Sequence, residues 1–191
     1  MAARPWGFES LSGRQVTKSR CELMIAIRKA ALEDVDAIAD VQVRTWNAAY
    51  ARMLPQEHLD RRTVELRTLQ WNDRLRADDQ CVFVACDPHG KVVAFASGGA
   101  SSEPVDGFDG EIVTIYVLPE AQGQGLGKRL LRAVSTALRA KGFQSAWLRV
   151  LSDNTPARRF YEKLGAEIIC ETTEEIDGFL YREHFYGFRD L

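Results

Sequence analysis

Cysteine is scarce and unpaired in this sequence. The four cysteines, Cys21, Cys81, Cys86 and Cys170, form no CxxC and no cluster with histidine. That argues against a zinc site and against a disulfide framework. Free, buried thiols in a reducing, cytoplasmic setting are the expected state. Cys81 and Cys86 fall five residues apart in one strand-like run and should point to opposite faces. Excess charge of either sign is missing too. Lys and Arg number 25 and Asp and Glu 27, a net charge of −2, so nothing marks the chain for nucleic acid or an anionic membrane. No apolar run approaches the about 20 residues of a membrane-spanning helix. The stretch before Ile25 lacks the apolar core of a signal peptide.

What is present is an ordinary globular composition. Of 191 residues, 46% are apolar and 27% charged, enough for one domain with a sizeable core. Residues 1–23 carry no periodicity and read as a flexible extension; the domain is expected over residues 24–191, with Met24 a candidate natural start. The competing expectation is that Trp6, Phe8 and Leu11 dock on the domain. A strand at Met24–Lys29 leads to a helix with Val35, Ile38, Ala39, Val43 and Trp46 on one face. A loop with Tyr50, Met53 and Pro55 precedes a helical stretch from about Thr63 to Arg76. Cys81–Cys86 and Lys91–Ala96 read as a hairpin across Asp87-Pro88-His89-Gly90. Residues 98–110, rich in glycine and acidic side chains, read as a loop. Glu111–Leu118 is nearly all apolar and predicts a central strand covered on both faces.

A helix from about Gly125 to Lys141 carries the stripe Leu126, Leu130, Val134 and Leu138 and stops at Gly142. After a strand at Ala146–Leu151 comes a helix that Thr155 can cap, Pro156 can open and Gly165 can end. Two last strands, near Ala166–Thr173 and Phe179–Phe188, join through Asp177-Gly178. The whole is one mixed α/β layer structure without repeats or linkers.

The informative segment runs from Val117 to Lys128, where a buried strand ends, a glycine-rich turn follows and an amphipathic helix begins. Glycines let backbone approach a ligand, and the unpaired N–H groups at the positive helix end suit a phosphate or pyrophosphate. A P-loop would need G-x-x-x-x-G-K-[S/T], but Gln122 stands at its first glycine and Arg129 at its hydroxyl position. A dinucleotide fingerprint would need G-x-G-x-x-G, whereas Gly123, Gly125 and Gly127 are spaced G-x-G-x-G. Three glycines in five residues exceed what a plain strand-to-helix connection needs.

Here the sequence resembles the GNAT superfamily of N-acyltransferases. The family's pyrophosphate motif, Q/R-x-x-G-x-G/A, is matched by Gln122-Gly123-Gln124-Gly125-Leu126-Gly127, and the preceding Val-x-Pro by Val117-Leu118-Pro119. Its second motif, N-x-x-A-x-x-F/L-Y-x-x-x-G, is matched from Asn154 through Ala157, Phe160 and Tyr161 to Gly165. The resemblance spans about Met24 to Phe188. It implies a single α/β domain with a central, mostly antiparallel sheet, a splayed parallel pair and about four flanking helices. It also implies acetyl-CoA as co-substrate, no metal, and acetyl transfer to the primary amine of a small molecule by direct attack in a ternary complex. A peptide or protein amine as acceptor, or a non-catalytic acyl-CoA sensor, are the alternatives, and a homodimer through the C-terminal strands is compatible. A nucleotide-binding module of another class is disfavoured by the failed spacings.

An alkyl amine titrates near ~10.4 and a thiol near ~8.5. One proton must therefore leave before attack and one should reach the departing sulfur. By the resemblance, Gln122, Gly123, Gln124, Gly125, Leu126, Gly127 and Lys128 hold the pyrophosphate. Ile115, Tyr116 and Val117 line the splayed strand, with the Val117 N–H as donor to the acetyl oxygen. Asn154 orients the coenzyme and Tyr161 is the general acid. Arg158 is either a phosphate ligand or a solvated surface arginine. Glu111 is the expected base, weighed against a plain surface carboxylate, with Asp109, Glu103, His184 and Tyr116 as lesser candidates. The acceptor wall is expected from Trp46, Tyr50 and Leu54 with Phe179, Tyr181 and Tyr186, aromatics that equally fill cores.

Overall fold

The computed structural model describes residues 25–191 apart from 78, 106 and 177, and leaves aside the side chains of 104, 176 and 179. The expected extension over residues 1–23, Met24, Cys21 and the Asp177 of the last hairpin lie outside the described residues. The elements run β1 (Ala26–Lys29), α1 (Val35–Tyr50), α2 (Gln56–Asp60), α3 (Val64–Ala77), β2 (Cys81–Cys86), β3 (Val92–Val105) and β4 (Phe108–Val117). Then come α4 (Leu126–Ala140), β5 (Ala146–Leu151), α5 (Thr155–Lys163), β6 (Glu167–Ile176) and β7 (Phe179–Phe188). The strands form one seven-stranded sheet in the order β1-β2-β3-β4-β5-β7-β6. Every neighbouring pair is antiparallel except β4 and β5.

Alternation along β3 assigns the helices to faces. Phe95 meets the Trp71 ring of α3 edge-on at 5.2 Å. Gly98, an odd number of residues on, faces α4 instead, where an added Cβ would lie 2.6 Å from Val134 Cγ1. α1 and α3 therefore cover one face and α4 the other. Trp71 is fully buried and its indole N–H donates to Gln42 Oε1 at 2.7 Å, so the core between sheet and α1 keeps its one large polar edge paired.

Residues 98–110 are not a loop. β3 continues to Val105 and β4 begins at Phe108. The cluster of glycines misled because Gly98 serves close helix approach; Gly107, at φ 79°, is the one in the turn. The α1 seam also differs from expectation. Val35, Ile38, Ala39, Val41, Gln42 and Thr45 are buried, while Val43 and Trp46 are half-buried, since polar Gln42 and Thr45 take inward places that a purely apolar stripe would not reveal. α2 lies in the stretch expected to be a loop, buried through His58 and Leu59. Cys81 and Cys86 are buried free thiols as expected, but Cys170, on the outermost strand β6, is exposed.

Candidate active site

The site starts from a fault in the sheet. Ser97 opposes Thr114 and Gly98 opposes Ile112, so Val113 is an extra residue on β4, a bulge that bends the strand. β4 and β5 pair only at Gly110↔Ala146 and Glu111↔Trp147. Beyond those pairs the strands diverge, and a groove of about 740 Å3 opens, lined by Ile112–Val117 of β4 and Leu148, Arg149 and Val150 of β5. The Leu118 N–H donates to Val93 O at 3.0 Å. With Ala94 opposite Val117, antiparallel alternation turns the N–H and C=O of Val117 and Ile115 away from β3 and into the gap. The Gln122 amide uses one of them, its Nε2 donating to Val117 O at 3.1 Å. That bond ties the turn to the end of the strand.

One end of the groove is the start of α4. Gly125 caps the helix at φ 73°, a left-handed conformation that favours glycine. The first bond of the helix runs from Arg129 N to Gly125 O, which leaves the N–H groups of Leu126, Gly127 and Lys128 without a helical acceptor. The first turn has no acidic side chain, and Lys128 lines the groove beside it. This is a positive, donor-rich concavity.

The far wall comes from α5. Asn154, and not Thr155, caps it: Asn154 Oδ1 accepts from Ala157 N at 3.2 Å, while its Nδ2 donates to the Tyr50 hydroxyl at 3.4 Å. Tyr161 follows two turns later, 9% exposed, on the groove wall. Burial pushes its hydroxyl pKa up, and the neighbouring Tyr50 and Tyr116 push it further. Tyr116 is raised likewise by burial and then by Tyr50. Among the described residues the Tyr161 hydroxyl has no hydrogen-bond partner.

Of the residues the sequence nominated, Ile115, Tyr116, Val117, Gln122, Gly123, Gly125, Leu126, Gly127, Lys128, Asn154 and Tyr161 share this groove. Gln124 is exposed on the outside of the turn. Glu111 is not on the groove wall. It is buried at 7% exposure, and Ser102 N donates to its Oε2 at 3.0 Å. Asp109 is committed to structure. Burial alone would raise its carboxyl, but hydrogen bonds from Gln144 and Ser145 hold it below the usual carboxylate range.

Two of the expected residues lie on the sheet face beneath α5. Tyr186 donates to Glu162 at 2.6 Å and accepts from Arg158 Nε at 3.1 Å, which places it under α5 and engages Arg158 there. His184, two residues away on β7, joins Ser152 Oγ at 2.9 Å and Glu171 at 3.2 Å.

Of the aromatics expected to form the acceptor wall, Tyr50 lines the groove; the Trp46 ring sits 4.2 Å from it, and Leu54 is buried. Tyr181 meets His58 of α2 at 3.4 Å, and the Phe179 side chain lies outside the described set. Thr45, Met53 and Arg149 line the groove without any signal in the sequence, because they enter through long-range packing. Among the described residues no group of His, Cys, Asp or Glu is placed to hold a metal, and no helix is long and apolar enough to cross a membrane.

The comparisons with known proteins agree with this architecture. The model of the acetyltransferase (GNAT) family matches residues 38–166. The uncharacterized N-acetyltransferase YuaI of Bacillus subtilis is 35% identical over 168 residues, 88% of this chain and 95% of that protein. The L-methionine sulfoximine/L-methionine sulfone acetyltransferase of Pseudomonas aeruginosa is 32% identical over 99 residues, 51% of this chain and 57% of that one. YncA of Salmonella typhimurium, solved with its cofactor acetyl-CoA, superposes with a TM-score of 0.66 at 23% identity, covering 88% of this chain and 95% of its own. With the family match spanning both groove-forming motifs, the chain belongs to the GNAT acetyltransferase family and is an N-acetyltransferase.

Proposed function

We propose that this protein transfers the acetyl group of acetyl-CoA to the primary amine of a small molecule, by direct attack while both are bound. The observation that carries this reading is that the α4 amides, the gap-facing backbone of β4 and Tyr161 lie along one groove. The N–H groups of Leu126, Gly127 and Lys128 suit the pyrophosphate. Gap-facing groups of Ile115 and Val117 suit an arm that itself carries amides, in the manner of an added strand. The Val117 N–H then serves the acetyl oxygen as negative charge develops there. Tyr161 supplies a proton to the departing sulfur.

Two features favour a small acceptor over a protein loop. The contact between His58 and Tyr181 ties α2 to β7 at the acceptor end, and the Pseudomonas relative is named for an amino-acid-sized substrate. Isothermal titration with acetyl-CoA, followed by thiol release across a panel of primary amines, tests the proposal. Binding together with turnover is expected. Absence of binding would refute the groove assignment, and binding without transfer to any amine would restore the sensor alternative.

A further inference from the structure

Acetyl transfer needs a group that takes the acceptor's proton, and the Glu111 carboxylate is already engaged by the Ser102 N–H. The ladder between β5 and β7 offers another carboxylate. Leu151 lies opposite Glu183 and Arg149 opposite Phe185. Directly opposed residues, and residues two apart, share a sheet face. Glu183, set back from the groove lining itself, therefore stands on the face of Arg149, which does line it, while the alternate residues His184 and Tyr186 turn to α5.

The charge around Arg149 does not balance. Its guanidinium lies 3.6 Å from Glu103 and 3.4 Å from Glu174, and Glu183 joins them as a third carboxylate in the same field. Glu183 Oε2 and Glu103 Oε1 are buried without a hydrogen-bond partner, as are Thr45 Oγ1 and Trp46 Nε1 on the α1 wall. Thr45 is only 7% exposed and lines the groove. Orphaned buried polar atoms are costly. Of the five among the described residues, only Gln80 Oε1 belongs to neither this corner nor the α1 wall. A cationic, hydrogen-donating ligand at this corner would offset the excess negative charge and give Glu183 Oε2 a donor.

We propose that Glu183, in place of Glu111, receives the acceptor's ammonium and takes its proton; this rests on the acetyl-transfer reading of the groove. The ammonium N–H donates to the Glu183 carboxylate and passes its proton there. The freed nitrogen lone pair forms the C–N bond at the thioester carbon. The C–S bond breaks with its electron pair on sulfur, and Tyr161 protonates the thiolate. The nitrogen's surplus proton returns to Tyr161, and Glu183 releases its own to solvent.

The groups facing Glu183 are Arg149 of β5, Glu103 of β3, Glu174 of β6 and Tyr50 of α1, with Arg62 also acting on Tyr50. Burial raises the Glu183 carboxyl above its ordinary range; Arg149 opposes the rise, and Glu174 and Glu103 add to it. The net upward shift moves the carboxylate towards a base effective near neutral pH.

The test compares wild type, Glu183→Gln, Glu183→Asp and Glu111→Gln on full-length protein. Thiol release is followed across pH with spermidine, L-lysine, L-methionine and tyramine as alkyl amines, and with hydroxylamine, which is already unprotonated at neutral pH. Glu183→Gln should lose about 10²–10⁴-fold in kcat/KM on the alkyl amine at neutral pH. The loss should shrink as pH rises towards the amine's own pKa of ~10.4. Hydroxylamine turnover and acetyl-CoA affinity should persist, and Glu183→Asp should restore part of the rate. Wild-type rates in Glu183→Gln, an equal loss on hydroxylamine at every pH, or the pH-dependent loss appearing in Glu111→Gln instead, would each overturn the assignment and leave acetyl transfer standing. A wild type inert towards all five probes yet able to bind acetyl-CoA would overturn both.

Discussion

Replacing Tyr161 by Phe should lower turnover about 10²–10⁴-fold while acetyl-CoA affinity and melting temperature stay near wild type. The ring is retained, and with it the packing on Phe160, whose centroid lies 5.0 Å away. What disappears is a hydroxyl that holds up nothing in the fold. Its pKa is displaced upward by burial, with Tyr50 and Tyr116 adding to the shift. A phenol raised in this way stays protonated through the neutral range and well above it, so it is available as an acid wherever the amine is free to attack. Steady-state thiol release with a competent acceptor, beside isothermal titration of the coenzyme, separates the two effects. An unchanged kcat would return Tyr161 to a purely packing role.

Gly125→Val should weaken acetyl-CoA binding by at least about tenfold with little effect on folding elsewhere. The position has φ 73°, and a Cβ there would meet nothing of the protein within 4 Å. A β-branched residue held in that conformation costs roughly 1–2 kcal/mol, and relief by rotation would re-aim the free amides at 126–128. Since the protein leaves the space open, any obstruction from the new side chain falls on the ligand. Titration of a folded variant that gives wild-type affinity would remove the turn from the binding site.

The parts of the site that were legible in the sequence are those whose geometry is local. Gln122–Lys128 and Asn154–Gly165 declare themselves because turn, cap and helix periodicity are fixed by residues a few positions apart. The place of Asn154 on the groove was readable, although its capping of α5 was credited to Thr155. What failed depends on register. The bulge at Val113 shifts strand parity, so side-chain direction across β4 does not follow from counting, and Glu111 lies in the closed, paired end of β4 before the gap opens. Tyr186 and Tyr181 both looked like wall aromatics, yet an odd separation along β7 sends them to opposite faces. Residues 98–110 looked like a loop because glycine marks close packing as well as turning. Glu183 gave no local sign at all, since its significance comes from Arg149, Glu103 and Glu174, which three other strands deliver.

The short bridge between β4 and β5 has a mechanical consequence. A sheet normally resists bending across its strands through an unbroken strip of hydrogen bonds, but here that strip narrows to two residue pairs at Gly110 and Glu111. The molecule is two leaves, β1 to β4 and β5 to β6, bound along a short spine and open like a book towards Val117 and Leu151. Backbone amides on the β4 margin then alternate in their exposure to solvent. Those of Tyr116 and Leu118 are locked to β3, and those of Ile115 and Val117 face the opening, a comb of slow and fast deuterium exchange along one strand. An extended molecule laid in the opening would fill the alternate teeth and stiffen both leaves together. Slowed exchange at Ile115 and Val117 on ligand addition is the expected signature of binding there.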